Sequence, residues 1–173
     1  CVFCVYVTAL DALFGPGAEL TVQKELYQQG AFASEQTVSV FGSRKQVIAD
    51  VRVLGPLRDY NQVELAFTDA RFLGVDAPVR LSSDVARTPG CYLVGPHGGL
   101  ELDHGVIRAA RHVHMSPGEA DYYGVKAGDL MRLVVGGELG RADLGCKGGG
   151  WRSAEEGEGA ERCLVYTSDA ADV

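Results

Sequence analysis

The sequence predicts a mainly β fold in which paired small β-barrels or sandwiches are closed by short α-helices. Three observations predict it. Short segments alternate apolar and polar residues, the period of a half-buried strand. Gly- and Pro-rich turn signals separate them, and 23 of the 173 residues are glycine. A unit of strand, short helix and strand occurs twice, and one such unit is too small to bury its own core.

Residues 1–8 are apolar, and residues 8–14 read as a short helix that Gly15-Pro16 stops. Residues 37–41, 51–54, 62–65, 91–94 and 100–102 read as strands. Gly55-Pro56, Pro89-Gly90, Gly95-Pro96 and Gly98-Gly99 mark the turns among them. Residues 68–73 read as a helix closed by Gly74, and residues 116–123 as one closed by Gly124. A Ser or Thr stands ready to cap each of the three helices. Ser116-Pro117 with Glu119 forms the best start: cap, Pro at the first position, acid at the third.

The repeat aligns Gly74-Val75-Asp76-Ala77 with Gly124-Val125-Lys126-Ala127, each behind a short helix. The chain divides accordingly. Residues 1–36 hold an N-terminal strand, a short helix and a connection; 37–109 form a central β-barrel. Residues 110–139 begin a second barrel, and 140–173 are a Gly-rich tail predicted to be irregular and disordered. Within that tail only residues 163–167 read as a strand.

A formal net charge of −7 argues against non-specific nucleic-acid binding, which needs a basic face. It leaves a small anionic substrate open, since one local Arg outweighs a global excess. No apolar run has the length of a membrane span. No basic residue precedes residues 1–8, which are too short for a signal peptide, so a cytoplasmic protein is expected. The five cysteines, at 1, 4, 91, 146 and 163, form no disulfide framework and read as reduced thiols. Cys1 and Cys4 have half a zinc-knuckle spacing that nothing completes.

The chemistry centres on Arg111-His112-Val113-His114-Met115-Ser116-Pro117. A His-x-His pair on a strand puts both imidazoles on one face. It reads either as a structural pair or as two ligands of a divalent metal. By the repeat, Glu64 lies on the strand matching the His112–His114 strand. It reads as a carboxylate ligand or as a solvated strand acid. Arg58, after the Gly55-Pro56 turn, has a planar fork that suits phosphate, or is an ordinary surface Arg. His97 and His104 read as solvated, Tyr122 and Tyr123 as packing residues, and Trp151 has no evident role.

A longer series then matters: residues 51–58 (Val-Arg-Val-Leu-Gly-Pro-Leu-Arg), 62–65 (Gln-Val-Glu-Leu), 68–71 (Thr-Asp-Ala-Arg), 74–80 (Gly-Val-Asp-Ala-Pro-Val-Arg), 89–90, 93–96, 109–117 (Ala-Ala-Arg-His-Val-His-Met-Ser-Pro) and 124–129. In this order it resembles phosphate propanoyltransferase, the phosphotransacylase associated with bacterial microcompartments. The resemblance covers roughly residues 8–140. It implies two small β-barrels capped by short helices, with the first strand joining the C-terminal half in one barrel. It implies conversion of a short-chain acyl-CoA, propanoyl-CoA or acetyl-CoA, and phosphate into acyl phosphate and CoA. Two zinc ions would sit between the barrels. His112 and His114 match zinc ligands, Glu64 a carboxylate ligand, and Arg58 the phosphate-binding, catalytic arginine. Acyl-CoA and phosphate are the implied partners, with no nucleic acid and no membrane. Self-association, or contact with microcompartment shell and lumen proteins, goes with the same family setting.

The ends depart from the family. Where it has a first His-x-His motif, this chain reads Cys4-Val5-Tyr6. Cys4 is a degenerate metal position, since a thiolate binds zinc, whereas Tyr6 is a poor ligand. No histidine follows His114. One zinc therefore loses most of its ligands, and the other keeps His112, His114 and Glu64. The alternative reading is an inactive or truncated relative that binds CoA or phosphate without turnover.

Overall fold

A computed structural model describes residues 1–26, 30–137, 140–148 and 164–166. The fold is mainly β, with three short helices. Strand β1 (Val2–Tyr6) runs straight into helix α1 (Val7–Phe14). Strands β2 (Val22–Glu25), β3 (Phe32–Phe41) and β4 (Val47–Arg58) follow. Then come β5 (Gln62–Glu64), helix α2 (Phe67–Leu73) and β6 (Val79–Arg80). Strands β7 (Cys91–Val94), β8 (Gly99–Leu102) and β9 (Val106–Ala109) complete one sheet. After β10 (His112–His114) come helix α3 (Pro117–Tyr123), β11 (Leu130–Gly137), β12 (Gly140–Gly148) and β13 (Leu164–Tyr166).

The first sheet has nine strands in the order β6-β9-β5-β1-β4-β3-β7-β8, with β2 beside β3. Alternation explains its single core. Phe3 and Val5, Val38 and Val40, Val51 and Val53, Val63 and Leu65, and Leu93 all turn one way and are buried in one cluster. Leu10, Leu13 and Leu73 close that cluster from the helices. Strands from opposite halves of the sheet share this core because the sheet curls into a half-barrel. Two bonds tie the curl: Val106 N donates to Pro89 O at 2.9 Å, and Gly105 N to Thr88 Oγ1 at 2.8 Å. They hold the segment entering β7 against β9, although the two strands lie far apart in the sheet order.

The β3–β4 pairing shifts register between Val38 and Val40, and Asp50 on the facing strand has φ 57°. An extra residue there makes a bulge that tightens the local twist. At Gly55, inside β4 and not in the turn expected there, a Cβ would run into the Phe32 ring, so the close approach of β3 to β4 requires glycine.

The repeat is physical. Gly74 (φ 74°, ψ 30°) and Gly124 (φ 64°, ψ 31°) both take the left-handed closing position. Val75 N donates to Ala70 O, and Val125 N to Ala120 O, each at 2.9 Å. Ser116 caps α3 as expected: its side chain accepts from Glu119 N, while Glu119 Oε2 accepts from Ser116 N.

Several expectations are corrected. Tyr6 and Ala66, not a Ser or Thr, occupy the N-cap positions of α1 and α2, without a side-chain cap bond. Helix α1 starts directly off β1 and α2 starts two residues after β5, which places Thr8 and Thr68 inside the first turn. Strand β1 does not join the C-terminal half. It lies between β4 (parallel) and β5 (antiparallel) in the first sheet, because its apolar Phe3 and Val5 complete that core. The second sheet has the order β11-β12-β10-β13. Residues 140–148, expected to be irregular, are strand β12, paired with β11 from Leu130–Lys147 to Gly137–Gly140. The expected strand at 163–167 is described over Leu164–Tyr166. The remaining tail expectations, and Trp151, lie outside the described residues. Tyr122 and Tyr123 are exposed and meet each other edge-on instead of packing inward. Among the described residues, no helix is long and apolar enough to cross a membrane.

Candidate functional site

Four strands bring the predicted residues together. Arg58 ends β4 and lies opposite Tyr6 of β1. Cys4 of β1 lies opposite Gln62 of β5, and Glu64 of β5 opposite Val2. Val63 points into the core, so Gln62 and Glu64 share the other face of β5. On β10, Val113 is buried and the flanking His112 and His114 turn together to the opposite face.

The imidazole pair is the most defined feature. His112 Nδ1 lies 2.7 Å from the Ala110 carbonyl oxygen. A carbonyl only accepts, so Nδ1 carries the proton and Nε2 presents a lone pair. His112 Nε2 stands 3.0 Å from His114 Nε2, with the rings edge to face. Burial, then the neighbouring His112, pushes the His114 pKa down to about 4, so this ring is neutral near pH 7. A backbone carbonyl on the remote nitrogen and a neutral ring are what metal-binding imidazoles need. Two imidazoles on one tetrahedral zinc, with bonds of ~2.0–2.1 Å, place their nitrogens roughly 3.3 Å apart. The observed pair fits one shared ion.

Glu64 is partly buried. Burial raises its pKa, while His112 and hydrogen bonds from Gln62 and Ser82 oppose that rise. Gln62 Nε2 donates to Glu64 Oε1 at 2.7 Å and to Ser82 Oγ at 2.9 Å. Cys4 is held as a thiol: burial, then Glu64, pushes its pKa up to about 12, against Arg58. Tyr60 is raised by burial and by Cys4, with Ser82 and Arg58 opposing. A chain of electrostatic neighbours therefore runs from Arg58 through Cys4 and Glu64 to His112 and His114. Among the described residues, no three His, Cys, Asp or Glu side chains converge on one point as a metal cage. Glu64 stands within electrostatic reach of His112.

Sequence reasoning missed Gln62, Tyr60 and Ser82 as members of this cluster. For Gln62 the signal was there: it shares a strand face with Glu64. Ser82 lies 18 positions beyond Glu64, and only the fold brings it near. His97 and His104 lie elsewhere: the His97 ring packs on Gly15, and His104 is about half exposed beside Asp103.

Comparison with known proteins accords with this cluster. The family model described as phosphate propanoyltransferase matches residues 5–142. A phosphate propanoyltransferase of Planctopirus limnophila is 58% identical over 126 residues, which cover 73% of this chain and 52% of that protein. One of Thermotoga maritima is 51% identical over 126 residues, covering 73% of this chain and 60% of that protein. One of Salmonella typhimurium is 46% identical over 123 residues, covering 71% of this chain and 58% of that protein. The chain thus spans little more than half the length of the curated relatives it matches. With Arg58, Glu64, His112 and His114 all inside the matched span, the chain belongs to the phosphate propanoyltransferase family.

Proposed function

We propose that this chain carries the acyl-transfer site of a zinc-dependent phosphate acyltransferase, which turns a short-chain acyl-CoA and phosphate into acyl phosphate and CoA. The observation that carries the reading is the His112–His114 pair, with His112 Nδ1 on the Ala110 carbonyl and the two Nε2 atoms 3.0 Å apart. His112 and His114 hold the ion and Glu64 completes the set; Cys4 is a fourth, degenerate position. When bound, zinc supplies a Lewis acid and a template beside the reacting carbonyl.

The chain's own residues do the rest. Arg58 holds the phosphate as a bidentate anion and orients one oxygen toward the thioester carbonyl. That oxygen forms the new C–O bond; the C–S bond breaks and CoA leaves as its thiolate. No serine or cysteine nucleophile is needed, and Cys4, protonated with a pKa of about 12, is a poor one. Propanoyl and acetyl groups differ by one methylene, a distinction worth ~1–3 kcal/mol at most, so both belong to the proposed substrate class. The second sheet, β11-β12-β10-β13, is in this reading the start of the second barrel. A microcompartment setting is part of the same family-based proposal.

The alternative is a CoA- or phosphate-binding module without turnover. One observation favours it: exposed Tyr6 and buried, protonated Cys4 stand where the family has its first His-x-His motif. Release of CoA from propanoyl-CoA, dependent on added phosphate, separates the two. Phosphate-dependent release that is lost in Arg58→Ala supports the enzyme; binding of CoA or phosphate without any release supports the binding module.

A further inference from the structure

Gln62 is a fully buried polar side chain with every polar atom engaged. Its Oε1 accepts from Ser83 N at 2.7 Å, and its Nε2 donates to Glu64 Oε1 at 2.7 Å and to Ser82 Oγ at 2.9 Å. The orientation of the amide is forced. Ser83 N–H only donates, so the amide oxygen must face it and the nitrogen must face Glu64. Ser83 itself has φ 75°, a left-handed conformation that a non-glycine residue holds only when its surroundings impose it. One amide therefore fastens a strained backbone turn to β5 and, with its other end, fastens one oxygen of the partly buried Glu64 carboxylate.

We infer that Gln62 is the positioning residue of this site: it fixes the Glu64 carboxylate relative to the His112–His114 pair. The inference rests on the reading above, in which Glu64 is the carboxylate ligand. A carboxylate buried without a donor would swing or take up a proton. The Gln62 amide, locked at its far end by the Ser83 backbone, removes that freedom. Outer partners of this kind set ligand orientation, and losing one typically weakens metal binding by about 10–100-fold.

The test is a double-mutant cycle on the purified chain with Gln62→Met, which keeps the side-chain length but removes its hydrogen bonds, and Glu64→Gln. Co²⁺ serves as the probe, read by its visible absorption spectrum and by titration. Gln62→Met should weaken Co²⁺ binding about tenfold or more and change the spectrum. In the Glu64→Gln background the same change should cost less than about twofold, because the residue it acts through is gone. Equal losses in both backgrounds, or an unchanged spectrum and affinity in Gln62→Met, would overturn the inference. A wild-type chain that takes up no Co²⁺ would overturn the metal reading instead. The cycle then decides the Gln62–Glu64 coupling from melting temperatures, where unequal shifts support it and equal shifts overturn it. If Gln62→Met does not fold, Gln62→Asn, one methylene shorter, takes its place in the same cycle.

Discussion

At the scale of single residues, charge and burial oppose each other across the site. Arg58 is the cation beside Cys4 and Tyr60, and it is half-buried at the end of β4. Replacing it by alanine should lower kcat/KM for phosphate by about 100-fold or more, while stability changes by ~1 kcal/mol or less. Steady-state kinetics and a denaturant melt check the two halves separately. Cys91 shows burial acting alone: desolvation pushes its pKa from 9.0 up to about 12. The folded chain thus keeps the thiol protonated where the unfolded chain releases the proton. Its contribution is complete below pH 9 and is lost as pH rises toward about 12. The melting-temperature gap between wild type and Cys91→Ala should therefore narrow over that window. A gap of constant width would contradict the assignment.

At the scale of elements, α2 and α3 share a sequence pattern and differ in what holds them. Ala70 and Leu73 of α2 are buried, whereas α3 buries no residue. Helix α2 should therefore depend on packing and α3 on its caps. Leu73→Ala should cost ~2–5 kcal/mol in a global denaturation experiment. Ser116→Ala should cost about 1 kcal/mol. It should act locally, as faster hydrogen exchange at the Ala120 and Val125 amides. The helix ends were legible because Gly74 and Gly124 mark closure with a backbone conformation that glycine favours. The starts of α1 and α2 were not, since Tyr6 and Ala66 stand at their N-cap positions without a side-chain cap bond. Strand β7 was legible from its alternating Cys-Tyr-Leu-Val. Strand β12 was hidden, because Gly-Arg-Ala-Asp-Leu-Gly-Cys-Lys-Gly has little alternation and gains its strand form from pairing with β11.

At the scale of the whole molecule, the site joins β1, β4 and β5 of the curled sheet to β10 of the second sheet. The spacing of His112 and His114, and the shared face of Gln62 and Glu64, can be read along the chain. That β10 approaches β5, or that the turn at Ser82 reaches Gln62, cannot: β10 belongs to the other sheet, and Ser82 lies 20 positions beyond Gln62. The tie that draws the curl together is testable. Thr88→Val leaves the Gly105 N–H without its hydroxyl partner and should cost ~1–3 kcal/mol in denaturant unfolding. The site should loosen with it, because Gly105 N–H immediately precedes β9, the strand beside Glu64. The central claim is that the imidazole pair and Glu64 together hold one zinc that serves acyl transfer. The most direct measurement is zinc per chain on purified protein, with CoA release from propanoyl-CoA and phosphate assayed on the same sample. The account predicts about one zinc and phosphate-dependent release, both lost in a His112→Ala, His114→Ala double variant that still folds. No zinc and no release from the wild-type chain, or release that survives loss of both histidines, would contradict it.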